Sequence, residues 1–121
     1  MKWSVPVVHT YNVTSDAKDH LARSQLCGID FITNSGDKTL LSMSSGEIMY
    51  IHNYDERRAQ DISSYDSLGR FIVAKYVLDK IIVYVRYCHN EDVDTHVGQV
   101  VAVGEALGEY GNTGYSFGDH V

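Results

Sequence analysis

The chain has 121 residues and a formal net charge of −6, with 44% hydrophobic and 21% charged residues. This composition is typical of a globular domain and excludes an intrinsically disordered chain. A membrane-spanning helix is excluded because no apolar run approaches about 18 residues, and no secretory signal is recognisable at the start. The acidic balance argues against a nucleic acid as partner. The length predicts a single domain over residues 1–121.

Strand patterns follow one another along the chain, whereas helical periodicity is scarce. "GIDFIT" (28–33) is a short apolar strand that leads into the polar turn "NSGD". "KTLLSM" (38–43) and "GEIMYIHN" (46–53) are two short strands on either side of "SSG". This arrangement predicts a hairpin with Gly46 at the positive-φ position.

Two longer strands rich in β-branched and aromatic residues come next, "RFIVAKYVL" (70–78) and "IIVYVRYC" (81–88). Asp79-Lys80 between them is predicted to form a two-residue turn. "VGQVV", "GEALGEYG" and a glycine-rich final turn complete the chain. Short strands with frequent glycine turns predict an all-β fold, a mainly antiparallel sheet or sandwich.

A polar stretch, "NYDERRAQDISSYDSLG" (53–69), interrupts the strands. It is long for a connection, and long loops in compact domains are often functional. Two interpretations stay open at this point. The stretch is either a solvated insertion or one wall of a groove beside an active site.

Asp30 is the most conspicuous acid, because it lies inside an apolar strand, where a carboxylate is costly unless it is hydrogen-bonded or bound to a metal. His89 follows a strong strand and His120 follows a glycine-rich turn, the places where sites are commonly built. Cys27 and Cys88 are far apart in sequence and form no zinc knuckle. They are interpreted as small buried residues, with metal or thiol chemistry as the alternative for Cys88, which precedes His89.

Five segments share a common pattern: "PVVHTYNVTS", "GIDF", "SGDKTLLSMSSGEI", "RYCH" and "VGQVVAVGEALGEYGNTGYSFGDH". Together they resemble the lysostaphin-like zinc metalloendopeptidases, which cut peptide bridges in bacterial peptidoglycan. The final segment resembles the family's long signature, which ends in histidine, any residue, histidine. Biotinyl- and lipoyl-type β domains share only the valine–glycine rhythm of this chain.

The resemblance implies a lysostaphin-like fold and a tetrahedral zinc ion held by two histidines and one aspartate. Asp30 matches the zinc-binding aspartate. His89 and His120 match the two assisting histidines, which act as general base or stabilise the oxyanion. They are the expected catalytic residues. We expect Asp30, His89 and His120 to converge in one groove.

Two of the three family ligands have no counterpart in the chain. Leu26 occupies the position of the first histidine and is expected to point into the groove, and the second histidine would follow Val121. His20, ten residues before Asp30, is the substitute metal ligand that we expect. Cys27 is a weaker candidate, because adjacent side chains on a strand point to opposite faces. The domain is therefore expected to lack its last strand.

The resemblance implies zinc-dependent hydrolysis of peptide cross-links in peptidoglycan, by a phage-encoded enzyme or by the front part of a larger wall protein. The alternative is a degenerate, non-catalytic module of the same fold that binds the cell wall, activates another enzyme or serves as a virion structural part. Either function places the protein at the bacterial cell wall, extracellular or virion-associated. Peptidoglycan is the expected partner, together with a larger parent polypeptide or a virion assembly.

Overall fold

The computed structural model of the protein describes residues 3–8, 11–22, 28–54, 57–58 and 65–115. Short strands dominate this part of the chain, and a six-residue helix and one turn of 3-10 helix accompany them. The elements are β1 (Tyr11–Ser15), α1 (Ala17–Ala22), β2 (Asp30–Thr33), β3 (Thr39–Leu41), β4 (Gly46–His52), β5 (Arg57–Arg58), the 3-10 helix (Tyr65–Leu68), β6 (Arg70–Leu78), β7 (Ile81–Val93), β8 (Val100–Val101), β9 (Ala106–Tyr110) and β10 (Gly114–Tyr115).

A six-stranded antiparallel sheet in the order β3-β9-β7-β6-β4-β8 forms the body of the described chain. β1 and β2 form an antiparallel pair, and β5 and β10 form a short parallel pair. The predicted all-β, mainly antiparallel fold is confirmed. Among the described residues, no helix is long and apolar enough to cross a membrane.

The β6–β7 hairpin is the most regular part of the sheet, and its prediction is confirmed. Asp79 and Lys80 form the turn with φ values of 49° and 72°, since a two-residue turn with both φ positive matches the twist of the strands. Successive side chains on the two strands alternate between a buried inner face and an outer face. The inner-face cluster comprises Leu40, Ile48, Ile72, Ala74, Tyr76, Tyr87, Val101 and Leu107.

Three hydroxyl groups lie inside this apolar cluster and satisfy one another. The Tyr76 and Tyr87 hydroxyls are 2.5 Å apart, and the Ser42 hydroxyl lies 2.8 Å from that of Tyr76. The Tyr87 hydroxyl also accepts a hydrogen bond from the Met43 amide, and Ser42 donates to the Ser44 carbonyl. Because buried polar groups are costly without partners, this network fixes how β6 and β7 pack on the segment after β3.

The predicted hairpin over residues 38–53 is wrong. β3 pairs with β9, whereas β4 pairs with β6 and β8. Gly46 lacks a positive φ. Its role is close packing, because a Cβ there would lie 2.1 Å from the Lys75 carbonyl oxygen and 2.5 Å from the Tyr76 ring. The glycine thus permits a close strand approach and does not reverse the chain.

Candidate active site

The pairing of β7 with β6 becomes irregular near the end of β7, where Cys88 and His89 together lie opposite Phe71 of β6. Arg70 pairs with Asn90 and Ile72 pairs with Tyr87, so β7 carries one extra residue between these pairs. This is a β-bulge, a feature that re-aims side chains beside functional sites. His89 has a φ of 61°, a conformation that costs energy for a residue with a Cβ and that is often found at active sites.

His89 is held in this conformation from two directions by the turn at 111–114. The Gly111 amide donates a 2.9 Å hydrogen bond to the His89 carbonyl. The His89 Nδ1 lies 2.7 Å from the Thr113 carbonyl oxygen. Because a carbonyl only accepts, Nδ1 carries the proton, and the neutral ring therefore has its lone pair on Nε2.

Thr113 is buried and links the turn to the sheet beside the bulge. Its hydroxyl accepts a 3.0 Å hydrogen bond from the Arg70 amide and donates a 2.9 Å bond to the Asn90 carbonyl. Arg70 and Asn90 are cross-strand partners, so the hydroxyl bridges the two strands where the ladder becomes irregular. Gly69 (φ 66°) packs against Thr113, and a Cβ there would lie 2.3 Å from the Thr113 hydroxyl oxygen.

The buried Asn90 supports the bulge from inside. Its side-chain amide donates a 2.9 Å hydrogen bond to the Tyr87 carbonyl, three residues earlier on the same strand. An extra residue disrupts the regular ladder, and this bond provides the Tyr87 carbonyl with a local partner. His89 therefore lies between two residues that are tied to each other.

Asp30 and Cys88 lie in the same neighbourhood. Burial raises the pKa of the Cys88 thiol to about 12; the Arg86 guanidinium lowers that pKa, and the Asp30 carboxylate raises it. The thiol is thus protonated at neutral pH, which argues against a reactive thiolate. Asp30 is the first residue of β2 and pairs with Ser15. The same charge effect indicates that its carboxylate lies within electrostatic reach of the thiol beside His89.

β2 is fixed to the main sheet through Tyr110 of β9. The Tyr110 hydroxyl accepts a 3.1 Å hydrogen bond from the Thr33 amide and lies 2.9 Å from the Thr33 hydroxyl. Thr33 is the last residue of the strand that Asp30 begins. Tyr110 immediately precedes the turn that holds His89, so one short piece of chain contacts both β2 and the bulge.

Parts of the polar stretch 53–69 also lie against this turn. β5 pairs with β10, and Gly69 contacts Thr113. His52, at the end of β4, is 2.8 Å from the Asp66 carboxylate of the 3-10 helix and stacks on Phe71, with ring centroids 4.9 Å apart. These contacts favour the interpretation of the stretch as a wall beside the site.

The predicted site residues are placed as follows. Asp30 and His89 are described. His20 lies in α1, but its side chain is outside the described part of the structure, as are residues 23–27, with Leu26 and Cys27, and residues 116–121, with His120. Within the described ranges, no three His, Cys, Asp or Glu side chains form a group that could hold a metal ion. The expected convergence with His120 therefore stays a prediction.

Sequence reasoning missed Thr113 and Asn90, the two residues that hold His89 in place. The turn "GNTG" was recognised, yet nothing in the sequence links its threonine to a strand 23 residues earlier. No sequence signal marked Asn90 either. The bulge itself shifts the register by one residue and leaves no pattern in the sequence.

Comparison with known proteins was made by family and by structure. The profile of peptidase family M23 matches residues 24–121. The chain belongs to peptidase family M23. The expected lysostaphin-like resemblance is thereby confirmed, and the chain contains a peptidase-family domain. No curated protein matches the chain.

A solved structure described as a zinc-containing peptidase from Vibrio cholerae has the same fold as this M23 chain. The TM-score is 0.70 at 20% sequence identity over 99% of this chain. The match spans 35% of the length of that peptidase chain. At this identity the likeness establishes the fold, and the fold agrees with the family assignment.

Proposed function

We propose that this M23 domain hydrolyses peptide cross-links in bacterial peptidoglycan with the help of a bound zinc ion. The observation that carries the proposal is the bulge that fixes His89 with Nδ1–H bonded to the Thr113 carbonyl. A strained, doubly anchored histidine at a strand end is costly for a merely structural role. Asp30 near the same position supplies the acid that the family chemistry needs.

His89 is suited to move a proton between water and the leaving group. Its Nε2 lone pair accepts a proton from an attacking water, and the resulting imidazolium is stabilised by the Thr113 carbonyl on its other nitrogen. The same Nε2–H then donates to the departing amine or to the oxyanion. The Gly111 amide fixes the His89 backbone, and the hydrogen bond from Nδ1 to the Thr113 carbonyl sets the orientation of the ring.

The described residues do not by themselves form a zinc site. The Asp30 carboxylate is one ligand in this proposal, and structural and catalytic zinc ions require at least three protein ligands. By resemblance, His20 is proposed as a second metal ligand and His120 as the second assisting histidine. When bound, zinc supplies a Lewis acid that activates water and polarises the scissile carbonyl.

A degenerate, non-catalytic module of the same family is the alternative, and the leucine at position 26 favours it. Leucine has no atom that binds zinc, and this position matches a family histidine. Such a module keeps the fold and the groove and binds the cell wall, activates another enzyme or forms part of a virion. Both functions place the protein at the bacterial cell wall. A phage origin, a larger parent polypeptide and a single domain over residues 1–121 belong to the same proposal.

The test is zinc content together with cleavage of purified peptidoglycan. The protein is dialysed against zinc, the metal per chain is measured, and new amino groups released from peptidoglycan are counted for the unmodified chain and for His89→Ala. The control is His96→Ala, because His96 is exposed and follows the end of β7. His96→Ala also removes a histidine side chain, but at a position outside the bulge.

The enzyme proposal predicts about one zinc per chain and cleavage that falls by roughly 100-fold or more in His89→Ala, with His96→Ala unchanged. If the protein takes up no zinc during the dialysis but still binds peptidoglycan, the degenerate module is the function. Cleavage that survives His89→Ala would contradict the assignment of His89 as the catalytic histidine.

A further inference from the structure

The outer face of the β6–β7 hairpin leads directly to the bulge and carries a cation. Arg86 precedes His89 by three residues and is opposite Val73, which is opposite Tyr50 on β4. The next row across the same strands contains Glu47, Lys75 and Tyr84. Arg86 therefore lies on a surface formed by three strands, about 10 Å along β7 from His89 at about 3.3 Å per residue.

Arg86 is exposed and has no hydrogen bond or ion pair with another residue in the described part of the chain. Arg70, the nearest arginine in the hairpin, shows the contrast. Its Nε donates a 2.9 Å hydrogen bond to the Asn53 side chain, and its Nη1 donates to the Glu91 carbonyl. Arg70 is thus held by the structure, whereas the Arg86 guanidinium makes no such hydrogen bond within the described residues.

Among the described residues, the charges around Arg86 come from one further cation and two acids. Glu47 is two strands away and opposite Lys75, and the Asp30 carboxylate acts together with Arg86 on the Cys88 thiol, toward the bulge. Lys75 lies on the diagonal from Arg86, at about 7–8 Å between such neighbours. Arg86 and Lys75 are therefore two adjacent cations, and within the described residues the Arg86 guanidinium makes no hydrogen bond or ion pair that would occupy it.

The tyrosines beside Arg86 fit an extended peptide. Tyr84 is 60% exposed and Tyr50 is 48% exposed. Tyr84 lies two residues from Arg86 on β7, and Tyr50 lies two strands away in the row of Arg86. Exposed aromatic rings supply rigid contact area for a peptide chain. An arginine binds a carboxylate through two parallel hydrogen bonds, which a lysine does not reproduce.

We propose that Arg86 is a specificity-determining residue that binds a free carboxylate of the substrate, about three peptide residues from the bond presented to His89. The proposal rests on the proposed function, since it takes His89 as the point of cleavage. It restricts the substrate class to extended peptides that carry a carboxylate at that spacing, and it predicts poor binding of the amidated counterpart.

The test compares the binding of tetraglycine with that of tetraglycine amide. Each peptide is titrated into the zinc-supplied full chain, and binding is monitored by NMR. Four proteins are compared: the unmodified chain, Arg86→Gln, Arg86→Lys and the control Lys80→Gln. Lys80→Gln removes the same charge from the far end of the strand, at the hairpin turn. Unfolding curves verify that all four are equally folded.

We expect the unmodified chain and Lys80→Gln to bind the carboxylate form roughly five- to tenfold more tightly than the amide. Arg86→Gln should lose this preference, and Arg86→Lys should keep only part of it. Inorganic phosphate serves as a competitor. The proposal would be overturned if the preference for the carboxylate form persisted in Arg86→Gln. It would also be overturned if phosphate displaced the carboxylate and the amide peptide equally, or if neither peptide bound.

The two proposals fail separately in these experiments. Zinc-dependent cleavage that requires His89 but shows no Arg86-dependent preference would overturn only the role of Arg86. An Arg86-dependent preference in a chain that binds no zinc and cleaves nothing would overturn only the proposed hydrolysis.

Discussion

The two halves of β7 differ in how they are stabilised. Ile81–Tyr87 pair residue by residue with β6 and pack an alternating face into the core, whereas residues 88–92 contain shifts in register against both β6 and β9. The first half is stabilised by burial. The second half depends on a few specific hydrogen bonds from Thr113 and Asn90. The comparison indicates that the core holds the fold, while the bulge and the turn position His89.

The largest effect should come from the regular half. Ile72 is completely buried, and Ile72→Ala is expected to lower the free energy of unfolding by about 2–5 kcal/mol through lost burial and a cavity. Urea unfolding measures it. Val77→Ala, on the exposed face of the same strand, is the control and should cost about 0.5 kcal/mol or less. Equal losses in both variants would contradict the assignment of inner and outer faces.

The bulged half should respond in function more than in stability. Thr113→Val keeps the shape of the side chain but removes the hydroxyl that bridges the Arg70 amide and the Asn90 carbonyl. We expect the free energy of unfolding to fall by about 1–3 kcal/mol. Cleavage should fall well below that of an equally destabilised core variant such as Val85→Ala. Cleavage that simply follows stability in both variants would argue against a positioning role for Thr113.

Alkaline pH should distinguish the halves through Cys88, the first residue of the bulge. Its pKa is raised from 9.0 to about 12 in the folded state, so the folded state holds the proton more tightly than the unfolded state. The resulting stability is complete below pH 9.0 and is lost as the pH rises toward about 12.

Cys88→Ala is expected to weaken this alkaline loss of stability, as measured by urea midpoints across the same pH range. Burial also raises the pKa of Tyr87, and Tyr87→Phe provides the comparison for that background. If Cys88→Ala leaves the alkaline slope unchanged, the thiol is more accessible than its place in the bulge indicates.

The smallest effect concerns the hairpin turn. Lys80 has a φ of 72°, a region that glycine adopts more readily, and Lys80→Gly should raise the free energy of unfolding by about 0.5 kcal/mol without altering cleavage. A change in cleavage here would mean that the turn communicates with the bulge.

The regular half was predictable from sequence because its signals are local. The strand signals come from β-branched residues such as Ile72 and Val85, and the turn signal comes from Asp79-Lys80. Each of these signals can be read from residues that are neighbours along the chain. The partners of β3 and β4 were not predictable in this way, because they are distant in sequence. Thr39 pairs with Glu109, 70 positions later, and Gly46 pairs with Val101, 55 positions later.

The candidate site was predictable only in part, and for a similar reason. His89 and Asp30 were found because their residue types are unusual for their positions. The hydrogen bond between His89 and Thr113 joins residues 24 positions apart, and the bulge that permits it arises from strand registry. Arg86 resembles any other exposed cation until the strand register places it in one row with Tyr50 and two residues from Tyr84.

The most direct test of the account is the protonation state of the His89 ring. A long-range proton–nitrogen correlation spectrum of the neutral imidazole, with His89→Ala to assign the signals, reports which nitrogen carries the proton. The account predicts a protonated Nδ1 and an unprotonated Nε2 in the unmodified chain, because the Thr113 carbonyl accepts from Nδ1. A proton on Nε2 would contradict both the anchoring of His89 by the turn and its proposed role as a base.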